Sequence, residues 1–257
     1  MTAGALPAPR ALLLSGTGRY ADPWHPFAET SRALAGLLRE AGFGVDMADD
    51  VDAALAGLPA PGLPAAGGTA AGGSAPGGRA QDGPAQGGPA GAPDLLVVNV
   101  GLPRDDLPSP GTPDAAAGLR RWLAGGRPML VSHVSSTSFL DSPEWAEALG
   151  GRWIRGTSMH PEYGPAAIHV HPETGPLVEG ITDFEVLDER YSYLQTAPAI
   201  TVHATHTHEG LEHPVMWSLD RRPGRTFYDA LGHDAASYQS PEHREILRRA
   251  IAWLAAG

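Results

Sequence analysis

Residues 94–100 read Asp-Leu-Leu-Val-Val-Asn-Val, and this stretch decides the fold. A short, nearly continuous apolar run predicts a strand buried on both faces, as in parallel sheets covered by helices. Apolar runs at residues 11–15 and 129–132 predict two more such strands. Residues 26–41 and 113–124 carry apolar side chains at helical spacing, and glycine directly follows each stretch. The alternation of strand and helix predicts an α/β fold: a doubly wound, mostly parallel sheet with helices on both faces.

The second half of the chain is less regular. Strand patterns occur at residues 167–171, 201–206, 215–218 and 225–228, several of them with period-two alternation. Residues 241–255 have the pattern of an amphipathic helix. We therefore expect extra or antiparallel strands in the C-terminal half, attached to the same sheet.

Residues 58–93 have a different composition, because 28 of these 36 residues are glycine, alanine or proline. Such a segment cannot bury enough apolar surface to offset the entropy of ordering it, which predicts a disordered insertion. The strand pattern resumes directly at Asp94. The insertion is therefore predicted to be a long surface loop within a single domain that spans residues 10–257.

The composition also limits the available chemistry. The chain contains no cysteine and no lysine, so its 18 basic residues are all arginines, beside 29 carboxylates and 11 histidines. A thiol nucleophile and a lysine Schiff base are excluded. Reactive groups must therefore be imidazole, carboxylate, hydroxyl, backbone or a bound metal.

Charge and hydropathy argue against several classes of partner. The net charge of −11, without a basic stripe, disfavours nucleic acid and anionic membranes. No apolar run reaches the roughly 18 residues of a membrane span, and residues 1–10 lack the pattern of a secretory signal. We expect a cytoplasmic protein, and the arginine-only, alanine- and glycine-rich usage indicates a GC-rich bacterial genome. A symmetric homodimer is expected, because it is the commonest assembly among oligomeric proteins.

A series of short motifs runs along the chain in a recognisable order. They are His25, Asn99, Ser132-His133, Ser135-Ser136-Thr137, Gly150-Gly151-Arg152-Trp153, Asp188-Glu189-Arg190-Tyr191, His213-Pro214-Val215-Met216-Trp217, Gly224-Arg225, Phe227-Tyr228 and Leu231-Gly232-His233. In these motifs the chain resembles the trehalose-utilisation (ThuA-like) family, whose flavodoxin-like fold is similar to that of class I glutamine amidotransferases. Two family positions differ, because Gly175-Pro176 stands for a His-Pro pair and Gly156-Thr157 for a Gly-His pair, with His160 three residues later.

The resemblance implies a site at the carboxyl ends of the strands, where ligands gather in doubly wound sheets. His133 falls about where the amidotransferase-like fold presents its cysteine on a sharp strand-to-helix turn. An imidazole there can donate, accept or shuttle a proton, or bind a metal, but it cannot replace a thiolate, so amidotransferase activity is excluded. We predict His133 and Glu189 as catalytic residues. The predicted substrate-binding residues are His25, Asn99, Ser135, Tyr191 and His233.

Several of these residues also have a structural interpretation. His25 could cap a helix beside Pro26, Asn99 could end a strand, and Tyr191 could be a core residue with a polar tip. The histidines at positions 203, 206, 208 and 213 invite a metal interpretation, but no metal-binding signature accompanies them. His206 and His208, like His169 and His171, would project from one face of a strand, and exposed strand faces explain these pairs better. His213 stands apart because it belongs to the motif series, and we expect neither a metal nor a cofactor.

The expected function is bacterial carbohydrate metabolism, acting on a disaccharide or glucoside. The resemblance implies that such sugars are used as oxidised keto forms, with a functional link to a sugar dehydrogenase. The hypothesis is proton transfer at a sugar carbon or hydroxyl between the substrate, His133 and Glu189. Two alternatives stay open: a non-catalytic sugar-binding or regulatory module, which the missing imidazole at Gly175 favours, and a metal-dependent hydrolase that uses His25, His133 and His233.

Overall fold

A computed structural model describes residues 7–59, 92–221 and 224–256. The predicted insertion at residues 58–93 falls mainly on residues 60–91, which lie outside the described residues. Within the described part of the chain, no helix has the length and apolar character needed to cross a membrane.

The central feature is a nine-stranded sheet with helices packed on it. The strands are β1 (Arg10–Ser15), β2 (Gly44–Ala48), β3 (Leu95–Asn99), β4 (Met129–Ser132), β5 (Gly151–Arg152), β6 (Gly164–Val170), β7 (Phe184–Asp188), β8 (Gln195–Thr196), β9 (Thr201–His208), β10 (Leu211–Asp220) and β11 (Arg225–Asp229). The α-helices are α1 (Phe27–Glu40), α2 (Val51–Ala56), α3 (Pro113–Ala124), α4 (Pro143–Leu149) and α5 (Pro241–Ala255). Short 3-10 helices span Gly18–Tyr20, His133–Thr137, Pro172–Thr174 and Ser237–Gln239.

The strand order is β2-β1-β3-β4-β11-β10-β9-β6-β7, and β5 pairs with β8 in a separate two-stranded sheet. The first five strands pair in parallel, in the flavodoxin-like order. The other four continue the sheet with antiparallel pairing. The prediction of a doubly wound α/β fold with extra strands in the C-terminal half is therefore confirmed.

The helices form two groups, because α1 packs against α5, and α3 packs against both α2 and α4. Right-handed crossovers from β1 to β2 and from β2 to β3 run in opposite directions along the sheet, which places α1 and α2 on opposite faces. Strand β3 is consequently buried at all five positions, as its apolar sequence predicts. Burying each of its leucine and valine side chains contributes about 1.5–3 kcal/mol.

Local signals explain where the helices begin. The side chains of Asp50, Thr112 and Ser240 accept hydrogen bonds from the backbone N–H groups of the first turns of α2, α3 and α5, respectively. A proline at the start of α3 and of α5 also suits the first turn, where a backbone donor is not needed. These caps fix the residue at which each helix begins, and therefore also the residue at which the preceding loop ends.

Strand β7 and helix α2 are not predicted from the sequence. Strand β7 is an edge strand of five residues with alternating burial, and α2 has only six residues. Such short elements give a weak periodic signal. Strand β7 nevertheless matters for the site, because it ends directly before Glu189.

Candidate active site

His133 follows β4 directly and lies in the left-handed backbone region, with φ of 45°. This conformation is uncommon for a residue with a side chain and costs of order 1–3 kcal/mol. The Tyr228 hydroxyl donates to the His133 carbonyl at 2.9 Å. The Nδ1 atom lies 2.6 Å from the Ala230 carbonyl, which can only accept, so Nδ1 carries the proton. The sharp turn expected at His133 is therefore present, and it leaves Nε2 facing the carboxyl ends of the strands.

Glu189 and His233 are placed by the buried carboxylate of Asp188. Asp188 accepts hydrogen bonds from three backbone N–H groups: Glu189 at 2.7 Å, Gly232 at 2.7 Å and His233 at 3.2 Å. These bonds join the end of β7 to the loop that follows β11. The side chains of Glu189 and His233 are thereby held side by side although 44 residues separate Asp188 from Gly232.

His25 comes from the loop before α1 and is held by Asp22. The His25 Nδ1 atom lies 2.8 Å from both carboxylate oxygens of Asp22, and the His25 backbone N–H donates to the same carboxylate at 2.9 Å. Burial raises the pKa of Asp22, but the hydrogen bond and charge of His25 outweigh it and leave the pKa below its ordinary value. An ionised Asp22 keeps the proton of His25 on Nδ1, so Nε2 is the atom that faces the site.

Four side chains converge at this point. The Glu189 Oε2 atom lies 3.4 Å from His133 Nε2 and 3.3 Å from His233 Nδ1. The ring centroid of His25 lies 5.2 Å from that of His133 and 4.9 Å from that of His233. One nitrogen or oxygen atom from each of the four side chains falls within 4.8 Å of the others. We call this set, His25, His133, Glu189 and His233, the four-residue centre.

The electrostatics of the centre favour an ionised Glu189. Burial raises the pKa of Glu189, but the adjacent imidazoles of His133 and His233 outweigh burial and hold the pKa well below its ordinary range. Burial lowers the pKa of His233, yet the Glu189 carboxylate reverses this and raises it overall. Burial also lowers the pKa of His25, and Asp22 compensates only in part. The centre therefore combines a carboxylate with imidazoles of unequal basicity.

Two members of the centre, His25 and Glu189, line a cleft of about 610 Å³, and the buried His133 lies against Glu189. Tyr191 is buried beside it, with its ring centroid 4.4 Å from that of His133 and 4.7 Å from that of Trp153. Trp24 is largely exposed at the cleft, and the Arg104 guanidinium lies 4.2 Å from the centroid of its ring. The remaining cleft residues include two arginines, Arg152 and Arg155. Apolar rings with a few polar groups are typical of small-molecule sites.

The structure brings five of the seven predicted site residues together. These are His133, Glu189, His25, His233 and Tyr191. The alternative that His25 caps a helix does not hold. Pro26 is the N-cap residue of α1, and no side chain accepts a hydrogen bond from the first turn of this helix.

Asn99 and Ser135 lie elsewhere, so their prediction as substrate-binding residues needs correction. Asn99 is 2% exposed, and its amide donates to the hydroxyls of Thr30 at 2.9 Å and Ser31 at 3.0 Å. The Ser135 hydroxyl donates to the Val98 carbonyl at 3.0 Å and accepts from the Val100 N–H at 2.9 Å. Both side chains are used to join the end of β3 to neighbouring elements.

Three of the four histidines on β9 and β10 are more buried than exposed strand faces would be. His203, His206 and His213 are buried rather than exposed. His203 bonds to the hydroxyls of Thr174 and Ser218, and His206 bonds to the Tyr191 carbonyl. The prediction of exposed strand faces is therefore wrong at His206, whose ring is buried and hydrogen-bonded inside the protein.

Two residues at the site were not predicted. Asp22 stands three positions before His25, and a carboxylate at that spacing is a usable signal for a held imidazole. His160, named above only as the residue near a missing Gly-His pair, lines the cleft with its Nε2 atom 3.6 Å from Glu189 Oε1. Gly175 does not line the cleft; it lies in a turn with φ of 121°.

Fold and site together define a flavodoxin-like α/β protein with a histidine- and glutamate-containing centre at the strand ends. A family model described as ThuA, trehalose utilisation, matches residues 96–254. This is more than half of the chain, so the chain belongs to the ThuA family, as the motif series predicted. Membership supports a role in carbohydrate metabolism in general.

Solved structures of low sequence identity share the fold. A ThuA-like protein from Bacteroides uniformis ATCC 8492 superposes with a TM-score of 0.67 at 13% identity, covering 99% of this chain and 95% of that one. A ThuA-like protein from Parabacteroides merdae ATCC 43184 gives 0.66 at 16% identity, covering 98% and 91%. A β-galactosidase from Rahnella sp. R3 gives 0.58 at 11% identity, covering 95% of this chain but 31% of that one. Among curated proteins, none matches the chain significantly.

Proposed function

We propose that this protein is an enzyme that transforms a disaccharide or glucoside derivative, in its oxidised keto form, in the cleft above the four-residue centre. The observation that carries the proposal is that Glu189 lines this cleft and lies 3.4 Å from Nε2 of the buried His133. The cleft volume of about 610 Å³ also falls in the usual range of about 300–1,000 Å³ for small-molecule sites.

The proposed chemistry is proton transfer next to a carbonyl group. Ionised Glu189 takes a proton from the carbon beside the sugar carbonyl, and the electron pair of the broken C–H bond forms a carbon–carbon double bond. Charged His133 gives its Nε2 proton to the carbonyl oxygen, so an enediol forms without any oxidant. The Glu189 carboxylate lies 3.4 Å from His133 Nε2, so the two groups that would exchange protons with the substrate are adjacent.

A second candidate, a metal-dependent enzyme, is favoured by the convergence of three imidazoles and a carboxylate within 4.8 Å. A non-catalytic sugar-binding module receives less support. It was suggested by Gly175, which stands where the family has a histidine, but Gly175 does not line the cleft. A bacterial cytoplasmic location, a homodimer and a functional link to a sugar dehydrogenase remain proposals beside the main one.

Deuterium exchange tests the proposal directly. Keto-trehalose and keto-glucosides, prepared with a sugar dehydrogenase, are incubated with the protein in D₂O and followed by NMR. The expected result is deuterium at the carbon beside the carbonyl, with the rate lowered at least about 100-fold in His133→Ala and in Glu189→Gln.

His169→Ala is the matched control, since this histidine also pairs with a carboxylate but lies on the surface away from the cleft. Its exchange rate should equal that of the unmodified protein. Unchanged exchange in His133→Ala would rule out the proposed role of that residue. Calorimetric sugar binding without exchange or product would instead support the binding module.

A further inference from the structure

The structure assigns a divalent transition-metal site to the four-residue centre: His25 Nε2, His133 Nε2, His233 Nδ1 and the Glu189 carboxylate bind one cation such as Zn²⁺. The donor set, three imidazole nitrogens and one carboxylate, is of the kind that proteins use for Zn²⁺ and related metals. The inference does not rest on the proposed sugar substrate, because the four side chains are in place without one.

The first observation is that three nitrogen atoms lack other partners. His25 Nε2, His133 Nε2 and His233 Nδ1 are each buried, and none makes a hydrogen bond of normal geometry within the described residues. The contacts of His133 Nε2 and His233 Nδ1 with Glu189, at 3.4 and 3.3 Å, are ion-pair contacts only. Buried polar side-chain atoms in proteins are nearly always paired, so three unpaired nitrogens at one point call for an explanation. All three belong to the group whose atoms lie within 4.8 Å of one another.

The second observation is that the opposite side of two of the rings is fixed. His25 Nδ1 donates to the Asp22 carboxylate, and His133 Nδ1 donates to the Ala230 carbonyl. Metal-binding histidines in proteins almost always donate their second ring N–H to such a group, which fixes the tautomer and turns the lone pair toward the metal. The same arrangement is present here at both residues.

The third observation concerns distance. Donor atoms about 2.0–2.2 Å from a tetrahedral cation lie about 3.4 Å from one another. The Glu189 Oε2 atom lies 3.4 Å from His133 Nε2 and 3.3 Å from His233 Nδ1. The remaining separations, up to 4.8 Å, need only small side-chain rotations.

A bound cation would change the roles of the site residues in the proposed reaction. It would act as a Lewis acid on a sugar oxygen that enters from the cleft. His133 and Glu189 would then serve as ligands rather than as carriers of the proton. His160, half-exposed and 3.6 Å from Glu189, is the neighbouring side chain that could move a proton instead.

Calorimetric titration with Zn²⁺ alone tests the inference. The protein is purified without a polyhistidine tag and stripped with a chelator. We expect binding of about one Zn²⁺ per chain with a Kd of about micromolar or tighter, and a rise in Tm on Zn²⁺ addition. The variant His25→Ala/His233→Ala should lose more than about 100-fold in affinity, while His169→Ala should bind like the unmodified protein.

A second variant keeps the test decisive if the double variant does not fold. Asp22→Ala keeps all four proposed ligands and removes the carboxylate that positions the His25 ring and its loop. It should weaken Zn²⁺ binding by about 10–100-fold while the stoichiometry stays near one. Circular dichroism confirms that each variant is folded. No stoichiometric binding by the unmodified protein, or equal affinity in all variants, overturns the inference.

The outcomes for metal and sugar are separable because Zn²⁺ is titrated without a sugar. A protein that exchanges deuterium into keto sugars after chelation but binds no Zn²⁺ contradicts the metal site alone. A protein that binds one Zn²⁺ and converts no sugar supports the metal site and contradicts the proposed function.

Discussion

Replacing Asp188 by asparagine should destabilise the protein and disrupt the centre, although the two side chains have nearly the same shape. In the folded protein, one carboxylate oxygen of Asp188 accepts from the N–H groups of Glu189 and His233, and the other accepts from that of Gly232. An asparagine amide nitrogen cannot accept. Whichever way the amide is turned, at least one buried N–H group loses its partner and faces another donor.

The magnitude follows from the number of bonds lost. A hydrogen bond to a charged group contributes about 1.5–3 kcal/mol, and a buried donor left without a partner costs about 1–3 kcal/mol. Removing a buried charge offsets part of this loss. We expect the free energy of unfolding to fall by about 2–4 kcal/mol, a large share of the roughly 5–15 kcal/mol that holds a typical domain together.

Urea unfolding followed by circular dichroism measures this change. Asp183→Asn is the matched control, because Asp183 also accepts from a backbone N–H, that of Val170 at 2.8 Å, but its side chain is 62% exposed. The control should stay within about 0.5 kcal/mol of the unmodified protein.

An Asp188→Asn variant as stable as the control would refute the reasoning. It would mean that Asp188 is protonated in the folded protein and resembles an amide already. Burial does raise the pKa of Asp188, against the opposing pull of the His133 charge and the Gly232 N–H group. The experiment therefore decides whether burial or hydrogen bonding has the larger effect on the pKa of the Asp188 carboxyl group.

Two further predictions concern stability away from the centre. Burial lowers the pKa of His243, but the Asp229 carboxylate, 2.7 Å away, reverses this and raises it above the ordinary value. The resulting stabilisation is present below the unfolded-state pKa of about 6.5 and is lost as pH rises through the folded-state pKa. The free energy of unfolding of His243→Gln, measured with urea, should therefore differ most from that of the unmodified protein below about pH 6. A pH-independent difference would contradict this. Gly118→Ala should destabilise the protein by more than about 1 kcal/mol despite the better helix propensity of alanine, because the added Cβ would fall 1.7 Å from a backbone carbonyl oxygen of α2. Gly36→Ala, in open space on α1, should instead be neutral or stabilising by up to about 1 kcal/mol, and equal thermal shifts in the two variants would contradict the close approach.

The central parallel strands β1, β3 and β4 could be predicted because they are short, largely apolar runs. Strand β3 shows this clearly, since every one of its five residues is buried. The edge strand β7 could not be predicted in the same way. Its side chains alternate between buried and exposed positions over only five residues, and such a pattern is common in loops as well.

The site was predictable where a residue's role depends on its place at a strand end. His133 follows β4, a strand that the sequence predicts. Glu189 follows β7, which the sequence does not predict, so only the order of motifs in the family indicated this residue. Asn99 also stands at a strand end, yet its amide is taken by Thr30 and Ser31. Which polar group at a strand end meets the cleft depends on partners distant in sequence.

The sequence by itself determined the α/β class, the exclusion of thiol and amine chemistry, and the identity of most reactive groups. These follow from composition and from periodicities that act over neighbouring residues. Only the tertiary structure decided that His25, His133, Glu189 and His233 form one centre. The physical reason is that four separate chain segments are joined there by bonds such as those of Asp188, whose partners Glu189 and Gly232 are neighbours in space but not in sequence.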